Sequence, residues 1–149
     1  MLTKGKDVNY PSVSFKAGAV VVVPTSVTFA QFAAVSAGAT TIPLFIAPAG
    51  SRIIDGYLDI LTPATPTSGT TAQIGWGSNG QIIAEASVNT VRRLTHSPTT
   101  SAVMVSLGVP FAADTTIEFK LSTSGTATYT AGHFNIQVML YGDPSVTTP

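Results

Sequence analysis

Charge is what this sequence has least of. Asp, Glu, Lys and Arg make up 9% of its 149 residues, against about 25% in a typical soluble protein. Four long runs carry none: Ala17–Ser51, Ile60–Ala84, Leu94–Ala113 and Leu121–Gly142. Seven basic residues balance seven acidic ones, so the chain has no electrostatic footprint for DNA, RNA or an anionic membrane. Nucleic acid and membrane are therefore not expected partners. Cysteine is absent, which excludes a disulfide framework, a thiolate metal site and a thiol nucleophile, and leaves stability to packing and association. Glutamate occurs only at Glu85 and Glu118 and no long helical stripe stands out, which disfavours helices. The opening MLTKGKDVNYPS has lysines but is not followed by an apolar stretch of about 7–15 residues. Val20–Val23 is too short for a signal core or a membrane span. The expectation is a protein that starts here and is made in the cytoplasm.

What the chain has in quantity is Val, Ile and Thr, almost a third of all residues, the composition of pleated, half-buried strands. In Phe134–Leu140, Phe134, Ile136, Val138 and Leu140 alternate with Asn135, Gln137 and Met139. In Thr116–Leu121, Ile117, Phe119 and Leu121 oppose Thr116, Glu118 and Lys120. Both have the period of two that buries one face and exposes the other. Further strands are expected at Val20–Val23, Val27–Ala33, Thr41–Ile46, Ile53–Leu61, Ala72–Trp76, Gln81–Ser87 and Val103–Leu107. Turn chemistry separates them at Pro48-Ala49-Gly50, Pro63–Gly69, Asn79-Gly80 and Ser124-Gly125. Pro43 removes a ladder donor, so its strand is expected at an edge or with a bulge. The spacing fits an all-β, antiparallel β-sandwich, jelly-roll-like, of about eight or nine strands. One domain is expected over residues 17–141, with an N-terminal arm at 1–16, which holds three of the four lysines, and a C-terminal tail at 142–149.

A surface of hydroxyls and apolar atoms is cheaper to desolvate than a charged one, and a net charge near zero favours association. The long neutral strands also show few of the charges that usually protect sheet edges, so assembly is expected to cover those edges.

Catalytic and cofactor chemistry finds no footing. Gly75-Trp76-Gly77-Ser78-Asn79-Gly80 matches G-x-G-x-x-G, but strand-like Gln81–Ser87 follows where a helix is needed, and Thr95–Thr100 stands where the acidic residue belongs. A hairpin with Asn79-Gly80 in a type I′ turn is expected instead. Asp55 and Asp59 on one strand lie roughly 13 Å apart, beyond the about 5–9.5 Å between glycosidase carboxyls. With Tyr57 they read as a polar face opposite Ile54, Leu58 and Ile60. Neither His96 nor His133 has a second ligand or a nucleophile nearby, and no serine lies in G-x-S-x-G. Trp76, Tyr57, Tyr129 and Tyr141 are scattered, which suits packing better than a sugar-stacking platform. No cofactor and no metal is expected. The candidate partner contacts are Lys4, Lys6 and Tyr10 in the N-terminal arm, the adjacent pair Arg92 and Arg93, and His96 in the loop that follows.

The stretch TIPLFIAPAGSRIIDGYLDIL, from Thr41 to Leu61, the run Pro110-Phe111-Ala112-Ala113-Asp114-Thr115-Thr116-Ile117, and the closing Thr130-Ala131-Gly132-His133 with Val138-Met139-Leu140-Tyr141 resemble the head decoration, or cement, proteins of tailed bacteriophages. The resemblance spans about Thr25 to Tyr141, and none of its motifs is diagnostic alone. It implies a non-enzymatic β-sandwich subunit, commonly a homotrimer, on the outer surface of a virion capsid, where it ties neighbouring major capsid proteins together. The alternative it leaves is a phage fibre or receptor-binding β-domain that contacts host glycans, with Trp76 and Tyr129 as the residues to test.

Overall fold

The alternation of β-branched residues with hydroxyls and amides becomes eight strands in a computed structural model that describes residues 20–32, 39–65, 69–77, 79–96, 109–124 and 129–142. They are β1 (Val20–Thr28), β2 (Ala39–Ala47), β3 (Ser51–Thr65), β4 (Thr71–Gly75), β5 (Ile83–Ser87), β6 (Arg92–Thr95), β7 (Thr115–Ser122) and β8 (Ala131–Gly142), with one helical turn, α1 (Phe29–Phe32). Two antiparallel four-stranded sheets result: sheet A in the order β1-β8-β3-β6 and sheet B in the order β2-β7-β4-β5. The strands pair as nested couples, β1 with β8, β2 with β7, β3 with β6 and β4 with β5. That nesting is the wrapping of a jelly-roll-like sandwich, and the expected all-β antiparallel architecture is what the chain builds.

The core lies between the sheets. Sheet A supplies Val23, Val27, Ile53, Leu58, Ile60 and the alternating Phe134, Ile136, Val138 and Leu140; sheet B supplies Leu44, Phe45, Ile74, Ile117, Phe119 and Leu121, all at most 3% exposed. Phe134 is its aromatic centre, with ring centroids 5.3 Å from Phe119 across the sandwich and 6.0 Å from Phe32. Phe32 arrives there because β1 does not continue as the expected Val27–Ala33 strand. Thr28 and Gln31 make half of a capping box, the Thr28 backbone N–H donating to Gln31 Oε1 at 2.7 Å, and the turn swings Phe32 inward. Gly132 makes room for it: its φ is 149°, and a Cβ there would lie 2.7 Å from Phe32 Cζ.

Other expectations shift in detail. Val20–Val23 and the start of Val27–Ala33 join into one strand through Pro24. Arg92–Thr95, read as a surface pair and a loop, forms β6 against Tyr57–Ile60. Val103–Leu107 lies outside the described residues, as do residues 1–19 and 143–149, the latter following a β8 that runs through Gly142. The β4–β5 hairpin forms, but without the expected type I′ turn at Asn79-Gly80. The positive φ, 59°, belongs to Gly77. The Gln81 carboxamide closes the loop, its Nε2 donating to Trp76 O at 3.0 Å and its Oε1 accepting from Trp76 N at 2.9 Å. With Gln81 holding the loop, β5 starts only at Ile83.

Pro43 sits on β2, an edge strand of sheet B, and the register slips between Pro43 and Phe45, so the edge and the bulge occur together. Pro24 occupies the same kind of place on β1, an edge of sheet A. The remaining edges, β5 and β6, are five and four residues long. Proline or brevity thus marks each of the four edges within the single chain.

Replacing Phe134 with Ala removes the ring on which both sheets and α1 converge and is expected to cost about 3–5 kcal/mol. Val22→Ala, at a position 45% exposed, should change stability by less than about 0.5 kcal/mol. Urea unfolding of the two variants tests the contrast, and equal losses would refute the assigned inward and outward faces of sheet A.

Candidate interaction surface

The two outer faces differ in chemistry. Sheet B presents Thr41, Pro43, Thr116, Glu118, Lys120, Gln73 and Ser122, and Thr71 Oγ1 donates to Glu85 Oε1 at 2.6 Å. Large exposed hydrophobic side chains are found elsewhere: Val20, Val22, Ile54 and Leu61 on strands of sheet A, Val91 just before β6, and Phe29 and Val109 outside the strands. Among the described residues none stands on a strand of sheet B.

One of these owes its exposure to a register slip. Simple alternation from Leu58 and Ile60 puts Ile54 inside, as expected from the sequence. The β3–β8 ladder slips between Ile53 and Asp55, however, so that Ile53 opposes Leu140 and Asp55 opposes Met139. The bulge turns Ile54 outward, 41% exposed, and leaves Ile53 in the core at 1%. Leu61, 45% exposed, faces outward by simple alternation from Ile60, and a second slip, between Ile60 and Thr62, turns Thr62 outward beside it. Ile54 thus joins Val20 and Val22, whose strand partners on β8 are Tyr141 and Met139. Arg52 lies opposite Tyr141 with its guanidinium 5.7 Å from the ring centre.

Beyond this apolar end runs a polar band. Asp59 and Arg93 are direct cross-strand partners. The guanidinium grips the carboxylate bidentately, Nε to Oδ1 at 2.6 Å and Nη2 to Oδ2 at 2.7 Å, while it lies 4.0 Å from the centre of the Tyr57 ring. The hydrogen bonds from Arg93, opposed by partial burial and aided by charge attraction, hold the Asp59 carboxyl below the usual carboxylate range. Asp55 is exposed, and its Oδ1 accepts from Gly56 N at 2.8 Å. His133 Nε2 and Ser26 Oγ lie 3.0 Å apart across β8 and β1.

The sequence-nominated contacts divide. Lys4, Lys6 and Tyr10 lie outside the described residues. Arg92, Arg93 and His96 come together on or beside β6, and each has a bond within the chain: Arg92 Nη2 donates to Ser87 O at 2.7 Å, and His96 Nδ1 lies 3.0 Å from Ile82 O. Both ends of β6 in sheet A are thereby sutured to the β5 segment of sheet B, while Arg93 fixes its outer face to β3. The polar face of Asp55, Tyr57 and Asp59 is as expected, but Ile54 shares it. The sequence did not nominate Ile54, because a bulge leaves no mark in a period-two pattern.

Asp55 and Asp59 share one strand of the outer face, and among the described residues no group of three or more His, Asp or Glu side chains is placed to hold a metal ion. Tyr129 is core, 3% exposed and edge-on to Phe32 at 5.1 Å; burial pushes its phenol up. Trp76 packs edge-on against Phe111 at 5.0 Å. No described helix is long and apolar enough to cross a membrane.

No protein-family model and no curated protein matches the sequence. The fold is similar to chains of solved phage capsids. One belongs to the acidic stable capsid structure of Helicobacter pylori bacteriophage KHP30, with TM-score 0.57 and 11% identity over 89% of this chain and 94% of that one. A second is in the capsid asymmetric unit of cyanophage Pam1, with TM-score 0.54 and 16% identity over 94% and 97%. A third is in the capsid of Ralstonia phage GP4, with TM-score 0.57 and 18% identity over 96% and 95%.

The Asp59–Arg93 pair gives a pH signature. Its carboxyl titrates below the unfolded value of about 3.9, so its stabilisation is complete above that value and is lost as pH falls through the folded pKa. Thermal midpoints of the protein and its Asp59→Asn variant should differ by a constant amount from neutral pH down to about pH 5 and converge only in stronger acid. A gap that persisted there would assign the effect to packing on Tyr57 rather than to ionisation.

Proposed function

We propose that this chain is a non-enzymatic structural subunit of a phage virion, a decoration or cement protein that associates as a homotrimer on the outer surface of the capsid and binds the major capsid protein. In this reading it is made in the cytoplasm of the bacterial host and ends on the virion surface. The observation that carries it is the reach of the structural likeness: three separate capsid chains match over most of their length and most of this chain, so the likeness takes in the sandwich rather than a recurrent hairpin. Fold alone does not dictate function. The surface adds its own support: an outer face of sheet A bearing large exposed apolar side chains, an outer face of sheet B that shows none among the described residues, and few charges in the chain as a whole.

The mechanism is mechanical. A rigid sandwich laid across a joint between shell subunits adds contact area, and each additional 1,000 Å² or so of mainly apolar contact contributes on the order of several kcal/mol after association and ordering costs. Repetition over a shell multiplies that effect. No covalent step is involved, and cofactors have no part in it.

The test is binding to purified, expanded shells of the cognate phage that lack this protein. Co-sedimentation at a fixed ratio of copies to shell subunits, with a higher shell melting temperature, is the expected result. A protein that neither binds such shells nor associates with itself at high concentration would overturn the proposal.

A further inference from the structure

We propose that Asn79-Gly80, in the loop between β4 and β5, is a site of self-modification, at which the Gly80 backbone nitrogen closes on the Asn79 side chain and converts it to aspartate and isoaspartate. The proposal concerns the covalent chemistry of the chain itself and stands apart from the reading above.

Asparagine is chemically labile, and the residue that follows it governs how fast it reacts. Gly80 N attacks Asn79 Cγ. As the N–Cγ bond forms, the Cγ–Nδ2 bond breaks, and the amide leaves as ammonia with the proton that Gly80 N gives up. Water then opens the five-membered imide at one of its two carbonyls. Attack at Cγ restores the ordinary main chain and leaves aspartate; attack at the main-chain carbonyl leaves isoaspartate, with the backbone routed through Cγ. Amide and water become carboxylate and ammonium, with no redox partner needed. The attacking nitrogen must be uncrowded, and glycine has no Cβ beside it. Of the four asparagines, Asn89 is followed by Thr90 and Asn135 by Ile136, both β-branched, and Asn9, outside the described residues, by Tyr10.

The fold leaves this pair open. Asn79 is exposed to water. Its main-chain N–H donates to Trp76 O at 3.2 Å, but among the described residues nothing bonds its carboxamide or the Gly80 N–H. A type I′ turn would hold both residues at fixed positive φ; here the positive φ belongs to Gly77, and the β4–β5 ladder resumes only at Ile83 opposite Ile74. Asn135, by contrast, lies within β8 between Ser26 and Asp59. The products differ in consequence. A Cβ on Gly75 would overlap both Asn79 O and Gln81 Oε1, so the main chain at Asn79 packs on the same glycine as the carboxamide that clasps Trp76. Isoaspartate inserts an atom between the Asn79 N–H and the Gln81 clasp, both anchored on Trp76, and so disturbs the ring that packs on Phe111 at 5.0 Å. Either product adds a negative charge to a chain of zero formal net charge.

Incubation of the full chain at mildly alkaline pH tests this, with each asparagine followed by peptide mass mapping and isoaspartate counted by enzymatic methylation. Asn79 should convert at least about tenfold faster than Asn89 or Asn135, with an equal amount of ammonia released. The emission of Trp76, the one tryptophan in the chain, should shift in step with the isoaspartate formed. Asn79→Gln, whose longer side chain cannot close the five-membered ring, should hold the emission constant at an unchanged melting temperature. Conversion of Asn89 or Asn135 at the same rate as Asn79 overturns the proposal. So does an Asn79 that stays intact in the folded protein and converts only in urea, which would mean that the loop shields the pair.

Discussion

In the middle of sheet A the 15-residue β3 and the 12-residue β8 run antiparallel, from Ser51 beside Gly142 to Thr65 beside Ala131. Every other element of the sheet takes its place from that ladder. β1 hydrogen-bonds the far edge of β8, β6 the far edge of β3, and the inward residues of the two long strands supply much of the surface on which sheet B packs. A sandwich of this kind has no second core to fall back on, so the register between β3 and β8 decides at once which side chains are buried and which are offered to the outside.

That register is not uniform. It slips at Ile53/Asp55, at Ile60/Thr62 and again between Thr62 and Thr65. The first slip resets the alternation, which lets the strand bury Ile53 along with Leu58 and Ile60 while presenting Ile54 outward, and the second turns Thr62 outward beside Leu61. The outer surface is therefore set by the same hydrogen-bond ladder that fixes the core. Between the apolar positions, Arg93 clamps Asp59 and lies against Tyr57, and this holds the short β6 in place. Arg92 and His96 reach across to the other sheet, so residues that look like loose surface charge in the sequence close one open side of the sandwich.

The parts legible in the sequence are those governed by local rules. β7 and β8 announce themselves through strict alternation at Ile117, Phe119 and Leu121 and at Phe134 through Leu140. Pro43 reads as an edge or a bulge because a missing N–H has few other places to go, and the strand has both. Thr28-Phe29-Ala30-Gln31 carries a capping signal that the surrounding β-branched residues hide. The hairpin after β4 is visible, but its turn is not: the bonds that close it come from Gln81, and competition between that side chain and an Asn-Gly turn is settled by tertiary packing. β6 and the outward turn of Ile54 are invisible for a related reason. A four-residue strand exists through its partner, and a bulge is a property of two strands together, so neither has a signature in one segment alone.

Proline in the two long edge strands bears on how such a chain behaves before it reaches any partner. Copies with no net charge repel each other little, and a neutral, β-branched strand left open is a template on which identical chains stack without limit. Pro24 and Pro43 each remove a donor from the row that such stacking needs. Growth along a fibre axis is thereby penalised at every added copy, while contacts between sheet faces carry no comparable penalty. The same sparsity of charge that favours large dry interfaces is thus held back from runaway polymerisation by two backbone nitrogens that have no hydrogen to give.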